Sequence, residues 1–133
     1  MRHLCFCLPL GPAVMAMTSP RWYDELPIGI ITCDTKGVIL WMNDRAALIF
    51  RQSGGRDLIG KNMLACHPED AQKQIRDLFT TQKSHAYTVE IHGVKWLLSQ
   101  APWYENGRFA GYVEFLLTLP DPLKTLPGIR WVR

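Results

Sequence analysis

Thirteen residues, Leu58-Ile59-Gly60-Lys61-Asn62-Met63-Leu64-Ala65-Cys66-His67-Pro68-Glu69-Asp70, constrain the fold more than any other stretch of this chain. They hold a helical turn stopped by Gly60, a loop carrying a thiol and an imidazole, and a marked helix start. Pro68 suits the first helical position, where its missing N–H has no partner to lose. Glu69 and Asp70 put negative charge at the positive end of the helix dipole. Ala71, Ile75, Leu78 and Phe79 then share one face, with Gln72, Lys73, Gln74, Arg76 and Asp77 on the other. This helix lays an apolar stripe on another element.

On both sides of that helical centre the pattern is β. Ile30-Ile31-Thr32-Cys33 reads as a strand, Asp34-Thr35-Lys36-Gly37 as a turn, and Val38 to Met42 as the returning strand. Asn43 and Asp44 are both N-cap types and precede a helix of about two turns over Arg45 to Phe50. Ser53-Gly54-Gly55 breaks it, and Arg56 to Ile59 leaves room for one more turn. After the main helix, Tyr87, Val89 and Ile91 alternate with Thr88, Glu90 and His92, the period of a half-buried strand. His92-Gly93 and Asn106-Gly107 are tight-turn signals that frame a strand from Val94 to Trp103. Gly111 to Leu119 is the last strand, closed by Pro120-Asp121-Pro122.

The order β-β-α-α-α-β-β-β predicts an α+β domain, a five-stranded antiparallel sheet with a helical cluster over one face. One good amphipathic helix cannot fill a sheet face, so a hollow between helices and sheet is expected. The 133 residues suffice for one core. We divide them into 1–17, 18–119 as the domain, and a proline-rich tail 120–133. Residues 1–17 read as an over-extended start, with Met15 or Met17 as the true beginning. The alternative is a short export signal, in which Val14-Met15-Ala16 supplies the small residues for cleavage. The apolar run there is too short to span a bilayer. A net charge of +3 from scattered Lys and Arg requires neither nucleic acid nor an anionic membrane. Cys5, Cys7, Cys33 and Cys66 show no zinc-type spacing and read as free thiols of a reducing cytoplasm.

Leu26-Pro27-x-Gly29-Ile30, Asp34-x-x-Gly37-Val38-Ile39, Asn43-x-x-Ala46-Ala47, Leu58-Ile59-Gly60-Lys61 and His67-Pro68-Glu69-Asp70 together resemble the serial signature of a PAS domain. The closing Trp103-Tyr104-Glu105-Asn106-Gly107 resembles the hairpin before the last PAS strand. The likeness covers residues 23 to 119 and extends to small stand-alone bacterial PAS proteins. It implies a sensor of small molecules, light or redox state, with a cleft under the helices, that also mediates protein contacts.

On that reading Met42, Met63, Cys66, His67, Phe79 and Trp96 are the candidate ligand-binding residues. The alternative for the Met and aromatic side chains is plain core. His67 as a helix cap and Cys66 as an unreactive thiol are the competing structural readings. Haem is carried as an alternative cofactor with His85 and His67 as candidate axial ligands; otherwise His85 is an exposed loop histidine. A flavin adduct of the photosensor type is not expected, because Met63 stands where that subfamily has its reactive cysteine. Trp103 and Tyr104 flank a turn and are interface candidates. No catalytic motif is recognisable, so no enzyme is expected. No kinase, cyclase or helix-turn-helix segment is recognisable after Leu119, so output is expected through contact with a homodimer mate or signalling partner. A ligand-free interaction module is the competing function, and redox sensing through Cys66 a third.

Overall fold

The computed structural model describes residues 21–128. Five strands, β1 (Gly29–Cys33), β2 (Ile39–Met42), β3 (His85–Ile91), β4 (Val94–Glu105) and β5 (Arg108–Thr118), form one antiparallel sheet in the order β2-β1-β5-β4-β3. Between β2 and β3 the chain runs through helix α1 (Asp44–Ile49), 3-10 turns at Arg51–Ser53, Gly55–Leu58 and Met63–Cys66, and helix α2 (Glu69–Thr81). The expected architecture is the observed one.

Both two-residue hairpins form where their sequences place them. His92 (φ 51°) and Gly93 (φ 74°) join β3 to β4, and Asn106 (φ 51°) and Gly107 (φ 77°) join β4 to β5. Positive φ at both central positions matches the twist of the flanking strands. Pairing therefore starts at the turn, with Glu105 opposite Arg108, so β5 begins three residues before the expected Gly111. Gly111 sits beside a bulge at Trp103/Tyr104, and any Cβ there would collide with the Cys33 carbonyl. Trp103 donates from its indole N–H to that same carbonyl at 3.0 Å, which ties the hairpin to β1. Tyr104 stays exposed.

The first half of the domain is organised around Asn43, which is 1% exposed. Its Oδ1 accepts from the N–H groups of Ile30 (3.0 Å) and Ala46 (2.9 Å). Its Nδ2 donates to the carbonyls of Tyr23 (3.0 Å) and Ile28 (2.8 Å). The N-cap read from the sequence is therefore also a clasp between the entering chain, β1 and α1. Beside it Ile39, Met42, Ala46 and Leu58 form a buried apolar core cluster.

Two local expectations shift. Pro68 is extended (ψ 158°) and stands one residue before α2 instead of opening it. His85 is the exposed first residue of β3, not a loop residue, because it pairs with Gln100. The single turn expected after the glycine break forms as a 3-10 turn at Gly55–Leu58, and a second one at Arg51–Ser53 precedes it.

Asn43→Ala would strand two backbone carbonyls and two N–H groups in the interior, and we expect it to cost about 2–4 kcal/mol. Urea unfolding of the two proteins measures this; a loss below about 1 kcal/mol would refute the clasp.

Candidate functional site

The loop that carries the thiol and imidazole is held to the sheet edge by backbone bonds. Gly60 N–H donates to Ile39 O (2.8 Å), Ile39 N–H to Lys61 O (3.0 Å), and Met63 N–H to Gly37 O (2.9 Å). Asn62 reinforces this from its side chain. Its Oδ1 accepts from Leu64 N–H and its Nδ2 donates to Lys36 O, both at 2.9 Å. Met63 and His67 are thereby fixed over the sheet. At the far end of α2, the Tyr112 hydroxyl of β5 lies 2.5 Å from the Leu78 carbonyl and 3.0 Å from that of Lys83. The left-handed Gln82 closes the helix by donating to Leu78 O at 2.8 Å. Helix α2 is thus pinned at both ends while Ile75 is its single buried residue among those described.

Beneath α2 is a cavity of about 270 Å³. Its floor is the inner sheet face: Ile31 and Cys33 of β1, Leu98 and Gln100 of β4, Tyr112 and Glu114 of β5. Its roof is Met63, His67, Ile75, Leu78 and Phe79, with Phe50 and Leu58 closing one end. Tyr87 of β3 and His67 are exposed lining residues and mark the mouth.

The sheet register draws a row across this floor. Ile31 faces Glu114, Glu114 faces Gln100, and Gln100 faces His85. Gln100 Nε2 donates to Glu114 Oε2 at 2.6 Å. Burial pushes the Glu114 carboxyl above the ordinary range, while the Gln100 bond and the nearby His67 imidazole pull it back. Burial also raises Tyr87, and the Glu114 carboxylate adds to it. The Cys33 thiol is pushed up to about 11, chiefly by burial, so it stays protonated and a weak nucleophile at neutral pH.

Of the residues singled out in the sequence, Met63, His67 and Phe79 line the cavity. Met42 is wholly enclosed in the core cluster beside α1, and Trp96 lies further along β4 between Val89 and Thr118, so both fall outside the lining. The Cys66 side chain lies outside the described residues. His85 stacks on Tyr87 (ring centroids 5.1 Å apart) at the floor's outer edge and does not line the cavity. His67 Nδ1 lies 2.7 Å from the Met63 carbonyl, so Nδ1 carries a proton and donates to it.

Glu114, Gln100, Tyr112, Tyr87 and Cys33 were not expected at the site. A signal existed for Glu114, the one charged residue between Ala110 and Leu119. Gln100 and Tyr112 carried none, because both owe their place to cross-strand register. Among the described residues no hydrogen bond joins a Ser, Thr or Cys nucleophile to a His base, and no cluster of His, Cys, Asp and Glu could hold a metal ion. Among the same residues no helix is long and apolar enough to cross a membrane.

A family model described as the PAS fold matches residues 20–113. No curated protein matches the chain. Among solved structures, VqmA bound to DPO is similar, at 21% identity over 77% of this chain and 56% of that one, with a TM-score of 0.60. The Aer2 receptor of Vibrio cholerae, a dual PAS-heme oxygen sensor, is similar at 14% identity over 70% of this chain and 95% of that one (TM-score 0.55). A sensory box sensor histidine kinase of the same organism is similar at 20% identity, covering 74% and 87% (TM-score 0.54).

A carboxyl raised by burial takes up a proton on folding, so its contribution falls as pH rises above the unfolded value of about 4.5. Glu114→Gln removes that penalty. We expect the variant to melt higher than the parent at pH 7 and the gap to close below about pH 4.5. Melting curves from pH 4 to 8 check it; a gap independent of pH would refute it.

Proposed function

The chain belongs to the PAS family, and from that premise we propose that it is a non-enzymatic sensory domain whose cavity beneath α2 takes a small molecule. The observation that carries this reading is the cavity itself. Its size is near the lower end of ligand pockets, and its lining is mostly apolar with a few convergent polar groups. A sheet whose inner face were packed solid would speak instead for a pure association module.

Ligand binding would act on α2 and on the loop around Met63 and His67, the elements that close the cavity. A ligand shifts the balance between two arrangements only if it binds them unequally. Helix α2 suits that role because it is held mainly at its ends, by Tyr112 and by the Met63–His67 loop. Output passes to a partner protein or a second copy by contact. The site of action is the cytoplasm, where Cys33 remains a free thiol. VqmA bound to DPO offers an analogy at the level of fold only.

An apolar probe such as toluene, titrated into labelled protein, should shift the NMR resonances of Leu98, Tyr112, Ile75 and Phe79. Leu98→Trp should abolish the shifts while the protein stays folded. Shifts confined to Trp41, Thr32 and Phe115 on the opposite face would refute the reading.

A second reading is haem, favoured by one detail: the Nδ1 bond of His67 leaves Nε2 free, as in imidazoles that bind metals. His67, with Met63 and Phe79 beside it, would hold the group, which would supply binding of a diatomic gas or one-electron chemistry. The absence of Lys and Arg from the described lining weighs against its acidic edge. Protein expressed with haem precursor decides between the two. On the haem reading a Soret band appears and is lost in His67→Ala but kept in His85→Ala; on the preferred reading none appears.

A further inference from the structure

The cavity floor carries an acid that the fold itself does not need. Among the described residues the Glu114 side chain accepts one hydrogen bond, from Gln100, and that bond uses Oε2. Among the described residues no side-chain oxygen is both fully buried and without a partner, so Oε1 keeps its access to the cavity. No Lys or Arg is among the described lining residues, and the basic side chain among them is the His67 imidazole at the mouth, which draws the carboxyl down only in part. A carboxylate in an apolar enclosure is costly unless an opposite charge or a strong donor meets it.

The walls around it are aromatic. Phe50, Phe79, Tyr87 and Tyr112 all line the same space, and Phe79 and Tyr112 lie against each other with ring centroids 4.9 Å apart. Ring faces attract cations through their quadrupole, most strongly where water is excluded. A carboxylate and several ring faces in one cavity are complementary to an organic ammonium ion, whereas an organic acid would meet Glu114 with like charge.

From this, and resting on the ligand-binding reading above, we infer that the cavity selects a protonated amine with a small apolar body. The ammonium group donates to Glu114 Oε1, with Gln100 holding the carboxylate in place. The body lies against Met63, Ile75 and Leu78. His67 at the mouth sits where a second polar end of the ligand would emerge.

Three isosteric probes test it at pH 7: 2-phenylethylamine, 2-phenylethanol and phenylacetate, titrated by NMR into the parent and into Glu114→Gln. The amine should bind the parent tightest, and Glu114→Gln should weaken it at least about tenfold while leaving the alcohol unchanged. Phenylacetate should bind weakest. If the alcohol or the acid binds the parent as well as the amine does, with shifts at Tyr112 and Leu98, the amine class is wrong while the cavity remains a ligand site. If none of the three shifts any cavity resonance, the amine class and the ligand-binding reading fall together. An amine shift that survives Glu114→Gln undiminished overturns the role of Glu114.

Discussion

Asn43 is the side chain on which the rest of the domain depends. One amide satisfies two N–H groups and two carbonyls from three parts of the chain, and its own N–H donates to Ile30 O at 3.0 Å. An asparagine can offer two donors and two acceptors in one plane, and all are used here. Aspartate would keep the acceptors and face the Tyr23 and Ile28 carbonyls with a negative charge. Serine could not span the gap between the entering chain and the helix start. Because α1 is fixed at its first turn, the 3-10 turns that follow and the loop to Met63 leave the sheet at a defined angle.

That angle produces the cavity. Gly60 and Lys61 bond to Ile39 of β2 and Met63 to Gly37 just before it, so the loop that leads into α2 is tied to the edge of the sheet. Tyr112 then catches its far end, by its hydroxyl at the Leu78 and Lys83 carbonyls and by its ring against Phe79. A helix tied at two points keeps its apolar stripe facing the sheet without sealing against it. The space between holds Ile75, Leu78 and Phe79 above and the Glu114–Gln100 pair below. Polar groups that a closed core would expel persist here because they pair with each other and face open space.

Most of the fold was legible in the residues. Asn106-Gly107 and His92-Gly93 announced their hairpins, Asn43 its cap, and the Ala71–Phe79 spacing its helix. Each of these signals is local, resting on φ preference or on side-chain reach over a few residues. The site was legible only on its roof. Met63, His67 and Phe79 line the cavity because they lie on the marked helix or on the loop that leads into it. The floor was not legible, because Gln100 and Glu114 are fourteen residues apart and meet through the register of two strands. Met42 and Trp96 were misplaced for the same reason. A side chain's type does not say whether it faces the core cluster, the cavity or the stretch of sheet beyond it.

The sequence by itself determined the α+β class, the element order, both hairpins and the helix that roofs the cavity, since periodicity and turn chemistry act over short spans. Only the tertiary structure decided that Glu114, Gln100 and Tyr112 share one enclosure, that His85 stands outside it, and that Cys33 is buried. Those outcomes depend on strand register and on the height at which α2 is held, and both are set by contacts between residues far apart in the chain.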